Sequence, residues 1–238
     1  LRLLRPVTSL NYLAAGPKQF AAAIAPLVNA RNSEGLQARF INQEDLFDYY
    51  AFGRYGPNGI QAAVRELQPK YLLLVGRSIY DYHNYDGINA DPLCPTILIS
   101  TSFFAHAPAD ALYGDLGAGY PQVSVGRFPV NIPEELSVAV SRTLNYGGLP
   151  ASGWRALAVA DRMDTQAGNF PQQADVIAAS TPEIAWEKSY LGVTHSNPAQ
   201  VTTAMQNAAS GASDLIVYVG HGNAVRLGAN SSNLLDVA

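Results

Sequence analysis

The stretch Asp214-Leu215-Ile216-Val217-Tyr218-Val219-Gly220-His221-Gly222-Asn223 decides the fold. Its apolar run, Leu215 to Val219, is rich in β-branched residues, too short for a helix and bounded by turn residues, so it predicts a strand buried on both faces. The run stops on Gly-His-Gly. In an open parallel sheet, ligands bind just beyond the carboxyl ends of the strands. A histidine delivered there, with a glycine on each side, sits where chemistry is usually done. The glycines permit φ > 0 and the close approach of another chain. Two readings stand on these residues alone: a histidine used in chemistry, or a tight turn whose imidazole satisfies a neighbouring carbonyl.

Outward from this stretch, strands and helices alternate. Toward the N-terminus come a helix over Pro198–Ala209, with Asn197 before it and Val201, Ala204, Met205 and Ala208 along one face, a strand over Ile184–Tyr190, a helix near Pro171–Ala179 and a strand over Ala156–Ala160 that stops on Asp161. The run Gly147-Gly148-Leu149-Pro150-Ala151-Ser152-Gly153 is the strongest linker signal in the chain, and divides it into residues 1–149 and 150–238. Before it lie strands at Asn11–Ala15, Leu36–Ile41, Tyr71–Val75, Thr96–Ser100 and Val123–Gly126. Helices are predicted on Phe20, Ile24, Leu27 and Val28, on Ile60, Val64 and Leu67 with Asn58 as cap, and from Pro133 through Leu136, Val140 and Leu144. Asp45–Tyr50 is a short helix or loop. Tyr71–Val75 is the central strand, and residues 77–95 form a long loop. The alternation implies α/β with mostly parallel strands.

Composition narrows the class. Hydrophobic residues are 48% of the 238 and charged ones 14%, which describes a folded globular chain. A net charge of −4 without a Lys/Arg cluster excludes a nucleic-acid footprint. No apolar run approaches a membrane span. The opening Leu1-Arg2-Leu3-Leu4-Arg5-Pro6 carries neither Met nor a secretory signal, which points to a processed or internal segment of a longer precursor. Low Lys with high Tyr, Asn, Gly and Ala suits export to a secreted or cell-surface, bacterial-type location. One cysteine, Cys94, excludes an intrachain disulfide. It sits between prolines with no adjacent base to lower its pKa, so a buried inert thiol is expected. His83, His106 and His195 share no metal-ligand spacing with one another or with His221. Tyr80, Tyr82 and Tyr85 either line a groove or pack on one another.

Asn11-Tyr12-Leu13-Ala14-Ala15, Leu72-Leu73-Leu74-Val75-Gly76, Val125-Gly126-Arg127-Phe128-Pro129-Val130, Trp154 before a strand ending in Ala160-Asp161, and Tyr218-Val219-Gly220-His221-Gly222 follow one another in an order that resembles the gingipain-type cysteine peptidases, relatives of the caspases. The resemblance runs from about Asn11 to the end. It implies a caspase-like α/β fold of mostly parallel sheets sandwiched by helices, in two subdomains, with the second beginning near Trp154 and incomplete at its C-terminus. It further implies that His221 is the general base and acid, that the N–H of Gly222 helps bind the oxyanion, and that an acidic residue after the Trp154 strand orients the histidine. Asp161 is the nearest match for that residue and Asp164 the fallback.

Three departures from the family pattern bear on function. The family's nucleophilic cysteine follows on the next strand, beyond Ala238, and Cys94 falls outside that motif. The segment Asp115-Leu116-Gly117-Ala118-Gly119-Tyr120-Pro121 is poor in the carboxylates a structural Ca2+ wants, so a structural Ca2+ is only weakly supported and no other cofactor or metal is expected. The position matching the family's arginine-selecting carboxylate falls near Asn169, whose neutral amide does not compensate a guanidinium. Two functions follow. One is a cysteine endopeptidase domain acting on a peptide or protein substrate, completed by a C-terminal fragment or neighbouring chain. The other is a catalytically inactive relative serving as a structural or interaction part of an extracellular assembly or secretion system, whose open sheet edge would invite a partner strand.

Overall fold

Apolar runs separated by amphipathic segments assemble into two compact units, Leu1–Tyr146 and Gly147–Ala238. The computed structural model describes residues 10–87, 92–101, 105–147, 152–223, 226–229 and 233–236. Residues 148–151 of the linker, and the opening Leu1–Pro6, lie outside the described residues.

The first unit runs β1 (Tyr12–Gly16), α1 (Ala21–Ser33), β2 (Ala38–Asn42), α2 (Gln43–Ala51), α3 (Pro57–Leu67), β3 (Tyr71–Val75), β4 (Leu98–Ile99), β5 (Ala107–Pro108), β6 (Ser124–Phe128) and α4 (Pro133–Asn145). Its sheet has the order β2-β1-β3-β6, every pair parallel, with β3 between neighbours as predicted. Alternation along β3 places helices on both faces. Leu72 and Leu74 pack with Leu46 and Phe47 of α2 and with Ile60, Ala63 and Val64 of α3. Leu73 and Val75 pack with Ile24 and Leu27 of α1 and with Leu136 and Val140 of α4. A strand buried on both faces is therefore a continuous apolar run, and each of its leucines contributes about 1.5–3 kcal/mol.

Two expectations are corrected here. The cap of α3 is Gly56 rather than Asn58, because Pro57, with its fixed φ and missing N–H, takes the first helical position and sets the cap on the residue before it. Thr96–Ser100 is not a full strand, and only Leu98–Ile99 pairs, with β5. The carbonyls before it are committed elsewhere. Arg127 places all five of its N–H donors: Nε on Asp110 Oδ2 (2.6 Å), Nη1 on the carbonyls of Gly76 (2.8 Å) and Cys94 (2.9 Å), and Nη2 on Pro95 O (2.9 Å) and Asp110 Oδ1 (2.8 Å). Thr96 Oγ1 donates to the same carboxylate at 2.6 Å. Burial alone would raise the Asp110 carboxyl, but the hydrogen bonds from Arg127 and Thr96 hold it below its usual value.

The second unit runs β7 (Arg155–Ala160), α5 (Phe170–Ala179), β8 (Ala185–Tyr190), α6 (Pro198–Asn207), β9 (Leu215–Val219), β10 (Gly222–Asn223), β11 (Arg226–Leu227) and β12 (Leu235–Asp236). Its parallel sheet has the order β8-β7-β9, with Ala160 level with both Tyr190 and Val219. Ala158 and Ala160 face Phe170 and Ala174 of α5, while Leu157 and Val159 face Val201 and Met205 of α6. A capping box, Asn197 with Gln200, starts α6. That helix ends at Asn207, two residues before the predicted end, in a wider turn over Ala208–Ala212 that needs φ +107° at Gly211. β9 departs from expectation. Among the described residues it pairs with β7 alone and lies at the margin of its sheet, and all five of its residues are half-buried rather than buried on both faces. Its apolar run is partly covered on both faces, Ile216 and Tyr218 against the α6 side and Val219 against the α5 side.

Replacing Arg127 by Met should cost about 3 kcal/mol in chemical denaturation, because it strands the Asp110 carboxylate and three carbonyls. A loss below about 1 kcal/mol would contradict the clip. Since the Asp110 carboxyl is depressed in the folded state, its contribution is present above the unfolded value and fades as pH falls below about 4. The Arg127→Met variant should lose that acid dependence.

Candidate active site

Three parallel strands in register deliver their carboxyl ends to one edge, and the polar side chains of the candidate site gather there. β7 ends on Asp161, whose N–H donates to Val219 O of the neighbouring β9 at 3.1 Å. β9 ends on Gly220-His221. Strand pairing thus brings together two residues sixty positions apart, and His221 Nδ1 lies 3.0 Å from Asp161 Oδ2.

Gly220 makes the approach feasible. A Cβ there would overlap the Tyr218 hydroxyl and sit 2.6 Å from Asp161 Cβ. The Tyr218 hydroxyl reaches past it and donates to the carbonyl of His221 at 2.6 Å, and the Gly228 N–H donates to the same carbonyl at 2.8 Å. These two bonds fix the backbone that carries the imidazole. The ring meets the edge of Phe170 at 4.9 Å between centroids and 81° between planes, so Phe170, at the start of α5, restrains its tilt.

Asp161 is 1% exposed. A carboxylate so deep is tolerated only when hydrogen-bonded. Its Oδ1 accepts the Arg162 N–H at 2.7 Å and its Oδ2 the Ala229 N–H at 3.0 Å, besides facing Nδ1 of the imidazole. A carboxylate acceptor opposite Nδ1 places the proton of the neutral ring on Nδ1 and leaves Nε2 as the basic nitrogen. The side chain of His221 is 32% exposed, so Nε2 is reachable.

Asp164 stands on the other side of the ring, its Oδ2 3.5 Å from Nε2. Its Oδ1 accepts the N–H groups of Gln166 (2.7 Å) and Ala167 (3.0 Å), and these bonds, with His221 nearby, hold its carboxyl below the usual range. Gly222 opens β10, level with Leu227 of β11. Asn169 caps α5, its side-chain oxygen accepting the Gln172 N–H at 3.2 Å.

The structure therefore joins His221, Asp161 and Asp164 and places Asn169 beside Phe170. Sequence reasoning missed Phe170, Tyr218 and Ala229 as supports. Only Tyr218 carried a signal, as a polar-tipped ring in an otherwise aliphatic strand. Cys94 is fully buried, and burial pushes its thiol up to about 11. Asp115 Oδ1 is taken up by the N–H groups of Gly117, Ala118 and Gly119. Among the described residues no group of three His, Cys, Asp or Glu is arranged to hold a metal, and no helix is long and apolar enough to cross a membrane. The tyrosine loop packs partly on itself, with His83 against Tyr82 and Tyr85 at 4.5 and 5.3 Å, and partly on residues outside it, with Tyr82 against Tyr55 and Tyr80 against His106.

The family model of peptidase family C25 matches residues 5–238. Among solved structures, one described as a protease is similar at 15% identity with a TM-score of 0.55, covering 92% of this chain and 47% of that one. Dimeric latent PorU from Porphyromonas gingivalis is similar at 17% identity and a TM-score of 0.49, covering 57% of this chain and 15% of that one. This chain thus spans less than half the length of either. None of the curated proteins compared with it matches. The fold is α/β and caspase-like, with parallel sheets flanked by helices.

Gly220→Ala should lower stability by about 2 kcal/mol through overpacking against Tyr218 and Asp161, measured by denaturant unfolding. An unchanged midpoint would show that the approach of β9 to Asp161 is looser than described.

Proposed function

Because this chain belongs to peptidase family C25, we propose that it forms the histidine-bearing part of a cysteine endopeptidase, with His221 as general base and acid. The observation that carries the reading is the 3.0 Å contact of His221 Nδ1 with the buried Asp161 at the carboxyl ends of paired strands. Asp161 fixes the tautomer and stabilises the imidazolium. Nε2 takes the proton of a thiol as sulfur bonds to the substrate carbonyl carbon. The Gly222 N–H helps stabilise the negative charge gathering on oxygen. The same proton then goes to the leaving amine as the C–N bond breaks. Water, deprotonated by Nε2, hydrolyses the remaining thioester and restores the thiol.

The nucleophile in this reading is a cysteine on polypeptide beyond Ala238, since the buried Cys94 is unsuited to attack. A strand carrying it would add to the open side of β9. Asn169, neutral and engaged in capping α5, argues against selection of arginine at the cleavage site. The half-exposed margin of β9 also supports a second reading, an inactive module that receives a partner strand there.

The test is a thiol-reactive peptidyl probe applied to the full-length gene product. The proposal expects labelling of a cysteine downstream of Ala238, slowed on the order of 100-fold or more by His221→Ala. Absence of labelling, or labelling indifferent to His221, would favour the inactive module.

A further inference from the structure

His221 is bracketed rather than merely supported. Both of its ring nitrogens face a carboxylate, and the two carboxylates differ in kind. Asp161 is buried and sits 3.0 Å from Nδ1. Asp164 is 38% exposed on its side chain and stands 3.5 Å from Nε2, an ion-pair separation too long for a short hydrogen bond. The loop is built to aim it. Asp164 and Gly168 exchange backbone hydrogen bonds at 2.9 and 2.7 Å, closing a tight turn in which Gly168 takes φ +120°. Within that turn Oδ1 is tied to Gln166 and Ala167. Oδ2 is left pointing at Nε2, the nitrogen that a proton transfer requires.

We propose that Asp164 is a positioning residue that holds Nε2 of His221 in the resting protein and must yield it before that nitrogen serves a reacting group. The second half of this statement rests on the reading of His221 as proton carrier, whereas the pairing itself does not. Among the described residues, the charged or titratable groups around the ring are accounted for. Asp161 comes from β7 and Asp164 from the loop after it. Tyr218 of β9 bonds to the backbone carbonyl and not to the ring. Arg162 directs Nη2 to Ser196 O at 3.4 Å, and Arg226 pairs with Asp236 at 3.1 Å. α5 offers Phe170, which is uncharged.

A cationic ring beside a carboxylate favours the ionised carboxylate, and removing the ring removes that effect. The Asp164 carboxyl, held below its usual range in part by His221 and followed by its side-chain carbon signal in NMR, assigned with Asp164→Asn, should therefore titrate at higher pH in His221→Gln. The ring signals of the other three histidines should stay in place and report that the fold is intact. A superimposable Asp164 curve in the variant would overturn the proposal. If the variant does not fold, the unaltered protein supplies the test. The Asp164 pair is partly exposed and is screened by salt, so its midpoint should rise between low salt and about 1 M, and a salt-indifferent midpoint would refute the pairing. Failure here leaves probe labelling untouched, and failure of labelling leaves this titration untouched, so the two claims fall separately.

Discussion

A buried carboxylate facing one nitrogen of an exposed imidazole is the constraint on which the second unit is built. Asp161 is stable at 1% exposure because two backbone N–H groups and an imidazole meet it. Each partner comes from a different place in the chain: Arg162 from the end of its own strand, His221 from the neighbouring strand, Ala229 from beyond the β10–β11 hairpin. The carboxylate therefore ties that hairpin to the sheet as well as orienting the ring. Parallel pairing is what makes this geometry available, since it puts the carboxyl ends of β7 and β9 side by side in register.

The glycines around His221 do different work. Gly220 is required by space, because any side chain would strike Tyr218 and Asp161. Gly222 lies in an open hairpin strand, and a Cβ there would meet only ordinary contact, 3.4 Å from Arg226 O. Rigidity behind the ring comes from the two donors on the His221 carbonyl, and the partly exposed Asp164 stands in front of it. The ring is thus backed by a buried carboxylate at Nδ1 and faces a partly exposed one at Nε2.

Much of this was legible in the sequence where a signal is local. The run Leu72–Val75 had to be covered on both faces, and it is. The contact of Asp161 with His221 was expected from the resemblance to the gingipain-type peptidases, with Asp164 as the fallback, whereas the strand pattern alone marked only polar residues at two strand ends. The margin position of β9 was not legible, because an apolar run such as Leu215–Val219 reads the same for a strand partly covered by α5 on one face and α6 on the other and paired on one side only. Nor was the shortening of Thr96–Ser100 to two paired residues. That outcome depends on Arg127, thirty residues away, claiming the carbonyls of Cys94 and Pro95. Asn58 misled because a good capping residue sat one place inside Pro57, whose own preference settled the helix start.

The central claim is that Asp161 fixes which nitrogen of His221 carries the proton. The most direct measurement is the pair of ring 15N chemical shifts of His221 in the neutral form, on selectively labelled protein. The account predicts a protonated Nδ1 and a bare Nε2. A ring protonated at Nε2, or averaging between the two forms as free imidazole does, would contradict it.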